Sequence, residues 1–205
     1  AAAKDPRYAY GETILTFWPW PNGAFGATNA CTQYVKVDTN GDGQADRTDV
    51  VFMPINSFLE TLTGMGPEFQ VLPAQRIGNT QVAGFVARSP QQAQVLLYAH
   101  DHWDTQSRSD RTFEVDLSLA GLDGKKARIK TYRFDRENNT YYAMGRKIRD
   151  ERPKPQVISE EEFQKINALT KLQCADEVAL APDAKGNLEL KVPLACNGVT
   201  VLVMD

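Results

Sequence analysis

The sequence predicts a mainly β chain: an antiparallel β-sandwich, one β/α unit ahead of it and one further helix. Three observations lead there. Short apolar segments between residues 69 and 134 are separated by the turn signals Gly78-Asn79, Ser89-Pro90 and Asp123-Gly124. Within them, Phe113, Val115, Leu117 and Leu119 alternate with Glu114, Asp116 and Ser118, the signature of a strand with one wet face. Before them, residues 13–18 (TILTFW) are a run of β formers closed by Pro19, Pro21 and Gly23. It reads as a strand buried on both faces, of the parallel-sheet kind.

The elements follow in order. A loop is expected from residue 19 to about Val37. Residues 54–64 (PINSFLETLTG) read as a helix, with Pro54 early, Ile55, Phe58, Leu59 and Leu62 at helical spacing and Gly64 as the stop. Strand, loop and helix make the β/α unit. After Gly66-Pro67, strands are expected at 69–72, 80–88, 94–98, 112–119 and 127–134, a spacing that suits a sandwich. Residues 149–155 read as a charged, solvated connection. Ser159 with Glu162 forms a capping box for a helix whose apolar stripe is Phe163, Ile166, Leu169 and Leu172. Strands at 188–192 and 199–204 close the chain.

Composition excludes several classes. The chain has 205 residues, 23 Lys+Arg against 26 Asp+Glu, and a net charge of −3. With 42% hydrophobic and 24% charged residues it is neither disordered nor collagen-like. No stretch approaches the roughly 20 apolar residues of a membrane span. The weak acidity argues against nucleic-acid binding. The length allows a domain, or a domain plus a fragment. A complete (β/α)₈ barrel alone takes about 250 residues.

Of the cysteines Cys31, Cys174 and Cys196, the last two flank an expected C-terminal hairpin, and a disulfide between them is expected. The alternative is two buried free thiols. Cys31 is then free or paired outside this chain. Residues 1–6 show no signal peptide, as a mature secreted chain would not. Secretion, to the periplasm or outside the cell, is the expected location.

The sharpest local motif spans residues 38–49. Asp38, Asn40, Asp42, Asp46 and Asp49 fall at loop positions 1, 3, 5, 9 and 12, with Gly43 at 6 and the carbonyl of Gln44 at 7. Ca²⁺ wants six to eight oxygens, so Ca²⁺ is the expected cofactor and these six residues its expected ligands. Asp at position 12 resembles dockerin loops. The bland alternative is a solvated Asp/Gly-rich turn. A single such loop reads as a structural clip, not a sensor.

Other constellations are weaker. His100-Asp101-His102-Trp103-Asp104 puts two histidines on one strand face, with no third ligand placed by spacing. Trp18, Trp20 and Phe25 lie where a strand opens onto its loop; they can stack on sugar or simply pack. Trp18, Trp20 and Asn22 are the candidate substrate-binding residues. No two of the 26 acids, Glu12, Asp101 and Asp104 included, stand out as a glycosidase pair. There is no nucleophile elbow, and Cys31 has no base by spacing. Asn138-Asn139-Thr140 is a glycosylation sequon by pattern.

The order of segments resembles the C-terminal part of family 39 glycoside hydrolases, the β-xylosidase and α-L-iduronidase group. The segments are LTFWPWPNGAFG, PINSFLETLTGMG, VLLYAHDHWDT, FEVDLSLAGLDG, IKTYRFDRENNTYYAMGR and SEEEFQKINAL. The resemblance implies a (β/α)₈ barrel with a sandwich beside it. Residues 1–67 would be the last β/α unit of the barrel, with the calcium-like loop inserted, and 68–205 the sandwich with helix 159–172. Residues 13–19 would be the eighth strand, so both catalytic Glu positions would precede Ala1. No residue here inherits a catalytic role. Two function classes follow. One is a portion of a retaining glycosidase, acting with an N-terminal barrel portion or companion chain. The other is a stand-alone, non-catalytic calcium-binding module for glycan or assembly.

Overall fold

The computed structural model describes residues 32–104, 108–121 and 126–205. In chain order the elements are β1 (Thr32–Asp38), β2 (Arg47–Phe52), α1 (Ile55–Leu62), β3 (Glu68–Val71), β4 (Gln75–Ile77), β5 (Thr80–Arg88) and β6 (Ala93–Asp101). Next come β7 (Thr112–Leu119), β8 (Ala127–Phe134), α2 (Tyr142–Glu151), β9 (Val157–Ser159) and α3 (Glu160–Leu169). The last are β10 (Asp176–Leu180), β11 (Leu188–Ala195) and β12 (Val199–Met204). The described residues fall into two compact units, 64–138 with 173–205, and 32–63 with 139–172.

The first unit is built of antiparallel sheets. One sheet runs β10-β8-β12-β6-β5-β3, with β4 also paired to β5; β7 and β11 form the other. Alternate residues Val95, Leu97 and Ala99 of β6 enter one core with Leu117, Ile129, Leu194 and Leu202. Leu194 and Val95 are fully buried. The alternation in β7 has the expected outcome. Its apolar residues pack against this core, while Glu114 meets Lys191 of β11 at 2.6 Å and Ser118 donates to Glu189 at 2.6 Å.

The second unit has a three-stranded sheet, β2-β1-β9, antiparallel between β1 and β2 and parallel between β1 and β9. Val37, Val51, Ile148, Ile158, Phe163 and Ile166 form its own core. The capping box starts α3 as expected: Ser159 Oγ accepts from Glu162 N at 3.2 Å, and Glu162 Oε2 accepts from Ser159 N at 2.9 Å. The Arg47 guanidinium lies 5.1 Å from the Phe163 ring centroid, tying β2 to α3.

Several expectations need correction. Of the loop expected up to Val37, the described part, 32–37, belongs to strand β1, and 19–31 lie outside the described residues. The calcium-like segment connects the paired strands β1 and β2, ahead of α1. Helix α3, expected within the sandwich, belongs to the other unit. The stretch 149–155 is exposed at every residue but Arg152, as expected, but its first three residues end α2, and Arg152 donates to Val157 O at 2.6 Å. Helix α2 was missed, although Tyr141, Met144 and Ile148 have helical spacing and pack into the second core. The expected strand at 13–18 lies outside the described residues.

The Cys174–Cys196 disulfide is absent, and both thiols are free. Cys174 precedes β10 at the edge of the sheet, exposed, with Sγ on the carbonyls of Asp176 and Thr131 at 3.1 and 3.6 Å. Cys196 is buried in the β11–β12 turn, 3.9 Å from Thr80 Oγ1. The two thiols are held by different partners, so flanking the hairpin in sequence does not pair them.

Candidate functional site

The 38–46 segment is a hairpin loop folded around one carboxylate. Asp38 Oδ1 accepts from the N–H groups of Gly41 at 2.6 Å and Asn40 at 3.2 Å, and Oδ2 from Gly43 N at 2.7 Å. These donors, that of Gly43 foremost, hold the Asp38 carboxyl below its ordinary range. Gly41 and Gly43 both have φ of +82°, a left-handed backbone that turns the N–H groups inward at no Cβ cost. Asn40 Oδ1 accepts from Asp42 N at 3.0 Å, and Asp42 Oδ1 from Gln44 N at 2.8 Å. Asp46 accepts from Thr39 N and, at 2.7 Å, from Thr39 Oγ1. The backbone closes through Asp46 N to Val37 O at 3.1 Å.

Asp38, Asn40, Asp42, Gln44 and Asp46 are thus brought into one loop. Asp49 is not. It lies in β2 opposite Val35, with Oδ2 ion-paired to Arg47 Nε at 3.0 Å and Oδ1 accepting from Val50 N at 3.0 Å. The twelve-residue count could not show this, because it carries no strand register. Among the described residues no group of three or more His, Cys, Asp or Glu side chains is placed to hold a metal ion.

Beside the loop lies a cleft lined by Asp38, Gly43, Arg152, Ser159, Glu162 and Lys165. Arg152 and Glu162 satisfy each other there, and the Arg152 guanidinium keeps the Glu162 carboxyl below its ordinary range.

The His100–Asp104 group sits at the end of β6. The His100 and His102 rings are 6.2 Å apart edge to face, and Trp103 is 73% exposed. Its two acids are turn braces. Asp101 Oδ1 accepts from Trp103 N at 3.0 Å. Asp104 accepts from Arg108 N and Ser109 N, both at 2.8 Å, which hold it below the usual carboxylate range. The sequon is likewise engaged: Asn138 Nδ2 donates to both Asp135 oxygens at 2.9 Å. Trp18, Trp20 and Asn22, with Glu12, Phe25 and Cys31, lie outside the described residues.

No protein-family model and no curated protein sequence matches the chain. Among solved structures it is similar to a bacterial orthologue of human α-L-iduronidase, with a TM-score of 0.59 and 16% identity over 85% of this chain and 30% of that one. A GH39 enzyme from Xanthomonas axonopodis pv. citri gives 0.43 at 12% identity, over 60% of this chain and 25% of that one. A monomeric β-xylosidase from Caulobacter crescentus CB15 gives 0.43 at 19%, over 62% and 27%. The score of 0.59 shows a shared fold. The chain spans 25–30% of the length of these three structures. It shares its fold with part of the iduronidase orthologue.

Proposed function

We propose that this chain is the C-terminal portion of a glycoside hydrolase acting on glycosidic bonds of oligo- or polysaccharides. The observation that supports this most is the shared fold over 85% of the chain with an iduronidase orthologue of which it covers 30%. In this reading the catalytic Glu pair belongs to an N-terminal barrel portion. The present chain completes and stabilises that barrel, with residues 13–18 and α1 as its last β/α unit. Trp18, Trp20 and Asn22 are its candidate substrate-binding residues. The protein is secreted, and Ca²⁺ clips the 38–49 loop through Asp38, Asn40, Asp42, Gln44 and Asp46, with Asp49 recruited on binding.

The test is purification of the protein from its source without reduction, with intact mass and sequencing of any co-purifying chain. A barrel-containing polypeptide, continuous with or bound to this chain, together with glycosidase activity, is expected. A monodisperse 22.8 kDa monomer without a companion overturns it.

One observation favours a second reading, a non-catalytic calcium-binding module. Each unit closes a hydrophobic core of its own. That reading expects the isolated chain to fold and remain monomeric, without glycosidase activity.

A further inference from the structure

Both histidines of the chain stand in the segment His100-Asp101-His102, the first in β6 and the second in the turn that follows it. Their rings lie 6.2 Å apart, centroid to centroid, and both residues are exposed. Among the described residues neither imidazole has a hydrogen-bond or ion-pair partner. The carboxylates around them are committed. Asp101 accepts from Trp103 N through Oδ1 and from Thr80 Oγ1, at 3.4 Å, through Oδ2. Asp104 accepts from Arg108 N, Ser109 N and Asn197 Nδ2. Asn197 also accepts from Asp101 N, so the β11–β12 turn braces this one. A fixed backbone thus carries two uncommitted nitrogen ligands side by side.

Two imidazoles at this spacing suit chelation. An imidazole nitrogen binds a borderline divalent ion at about 2.0–2.1 Å, and two that do so at adjacent positions hold their ring centroids about 5 Å apart. The observed 6.2 Å closes to that by about 1 Å, a side-chain rotation open to exposed rings. The donor type selects the ion. Carboxylate and carbonyl oxygens suit Ca²⁺ or Mg²⁺, whereas imidazole suits Zn²⁺, Ni²⁺ or Cu²⁺. With both carboxylates turned to their own braces, the free donors here are nitrogens. Water fills the positions that two side chains leave open, so no third residue is required.

We propose that His100 and His102 chelate a divalent transition-metal ion of the Zn²⁺ and Ni²⁺ class at the end of β6, with water as its remaining ligands. The site shares no residue with the 38–49 loop and does not depend on the glycosidase reading.

The test is titration of the full, metal-free chain with Zn²⁺ and with Ni²⁺ in excess Ca²⁺, which keeps the oxygen-rich loop out of the reading. Calorimetry and the imidazole ring signals in NMR report binding. Trp103, its ring 5.4 Å from that of His102, reports Ni²⁺ by loss of fluorescence. One equivalent of each metal binds and shifts the signals of both histidines. His100→Ala and His102→Ala each weaken binding about tenfold or more, since changes even beyond the ligands of a metal site cost that much. Both rings are exposed, so neither substitution empties a core. Cys174→Ser removes an exposed thiol and leaves the affinity unchanged. No binding, binding undiminished in both histidine variants, or equal weakening by Cys174→Ser overturns the proposal.

Discussion

Arg152 and Glu162 form a two-pronged ion pair, Nη2 to Oε1 at 2.5 Å and Nη1 to Oε2 at 2.9 Å. The same Glu162 carboxylate accepts the N–H of Ser159, so one side chain caps α3 and anchors the segment after α2. Both partners are half-buried, with side-chain exposures of 35% and 23%, which places the pair above ordinary surface pairs.

Glu162→Gln is therefore expected to lower stability by about 1–2 kcal/mol, read by denaturant unfolding. The folded pKa of Glu162 is held below its ordinary 4.5, first by Arg152. Its contribution is present in full above pH 4.5 and fades as pH falls through the lower folded value. The variant should lose this part of the acid-side stability slope while differing most from the parent at neutral pH. An unchanged acid limb would count against the pair.

If Ca²⁺ clips the 38–49 loop, it raises the melting temperature and chelator lowers it. A site saturated about a hundredfold above its Kd adds about 2.7 kcal/mol. Asp38→Asn should abolish the shift. A melting temperature indifferent to both Ca²⁺ and chelator would leave the loop as a turn held by its own hydrogen bonds.

Asn197 sits at φ +55° in the β11–β12 turn, accepts from Asp101 N at 2.9 Å and donates to Asp104 Oδ2 at 3.1 Å. Asn197→Ala loses both bonds and strains the backbone, at about 1–3 kcal/mol. Asn197→Gly relieves the strain alone and should recover part of the loss. Equal stability of the two variants would mean that the side-chain bonds carry the whole effect.

Cys174 is exposed and Cys196 buried. In the folded protein, iodoacetamide should modify Cys174 and spare Cys196, which should react once denaturant is added. Peptide mapping reads both. Recovery of a Cys174–Cys196 bridged peptide would contradict the arrangement of β10 and the β11–β12 turn.

Leu194→Ala removes a fully buried side chain of the sandwich core. It should cost about 2–5 kcal/mol in equilibrium unfolding. A loss well below that range would mean that Leu194 is not packed in the sandwich core.

The elements legible in the sequence are those whose pattern is local. The strands at 80–88, 112–119, 127–134 and 199–204 were read with the same bounds that β5, β7, β8 and β12 have. Alternation of apolar residues and turn residues at their ends require no knowledge of partners. The capping box of Ser159 and Glu162 was equally local. Strand β1 was lost because its TQYVKVD reads as a polar lead-in to the Asp-rich loop; its burial comes from β2 and β9. Helix α2 was lost because its charged residues outnumber its apolar ones.

By itself the sequence determined the β-rich class, most of the sandwich strands, the cap of α3 and the oxygen-rich loop, because periodicity and turn chemistry act within a few residues. Tertiary structure alone decided which strands neighbour one another, that α3 packs with β1 and β2, and that Cys174 and Cys196 stay apart. It also decided that Asp49 turns to Arg47. The strand order, the seat of α3 and the separation of the two thiols depend on pairing register and burial between segments tens of residues apart, which no local pattern encodes.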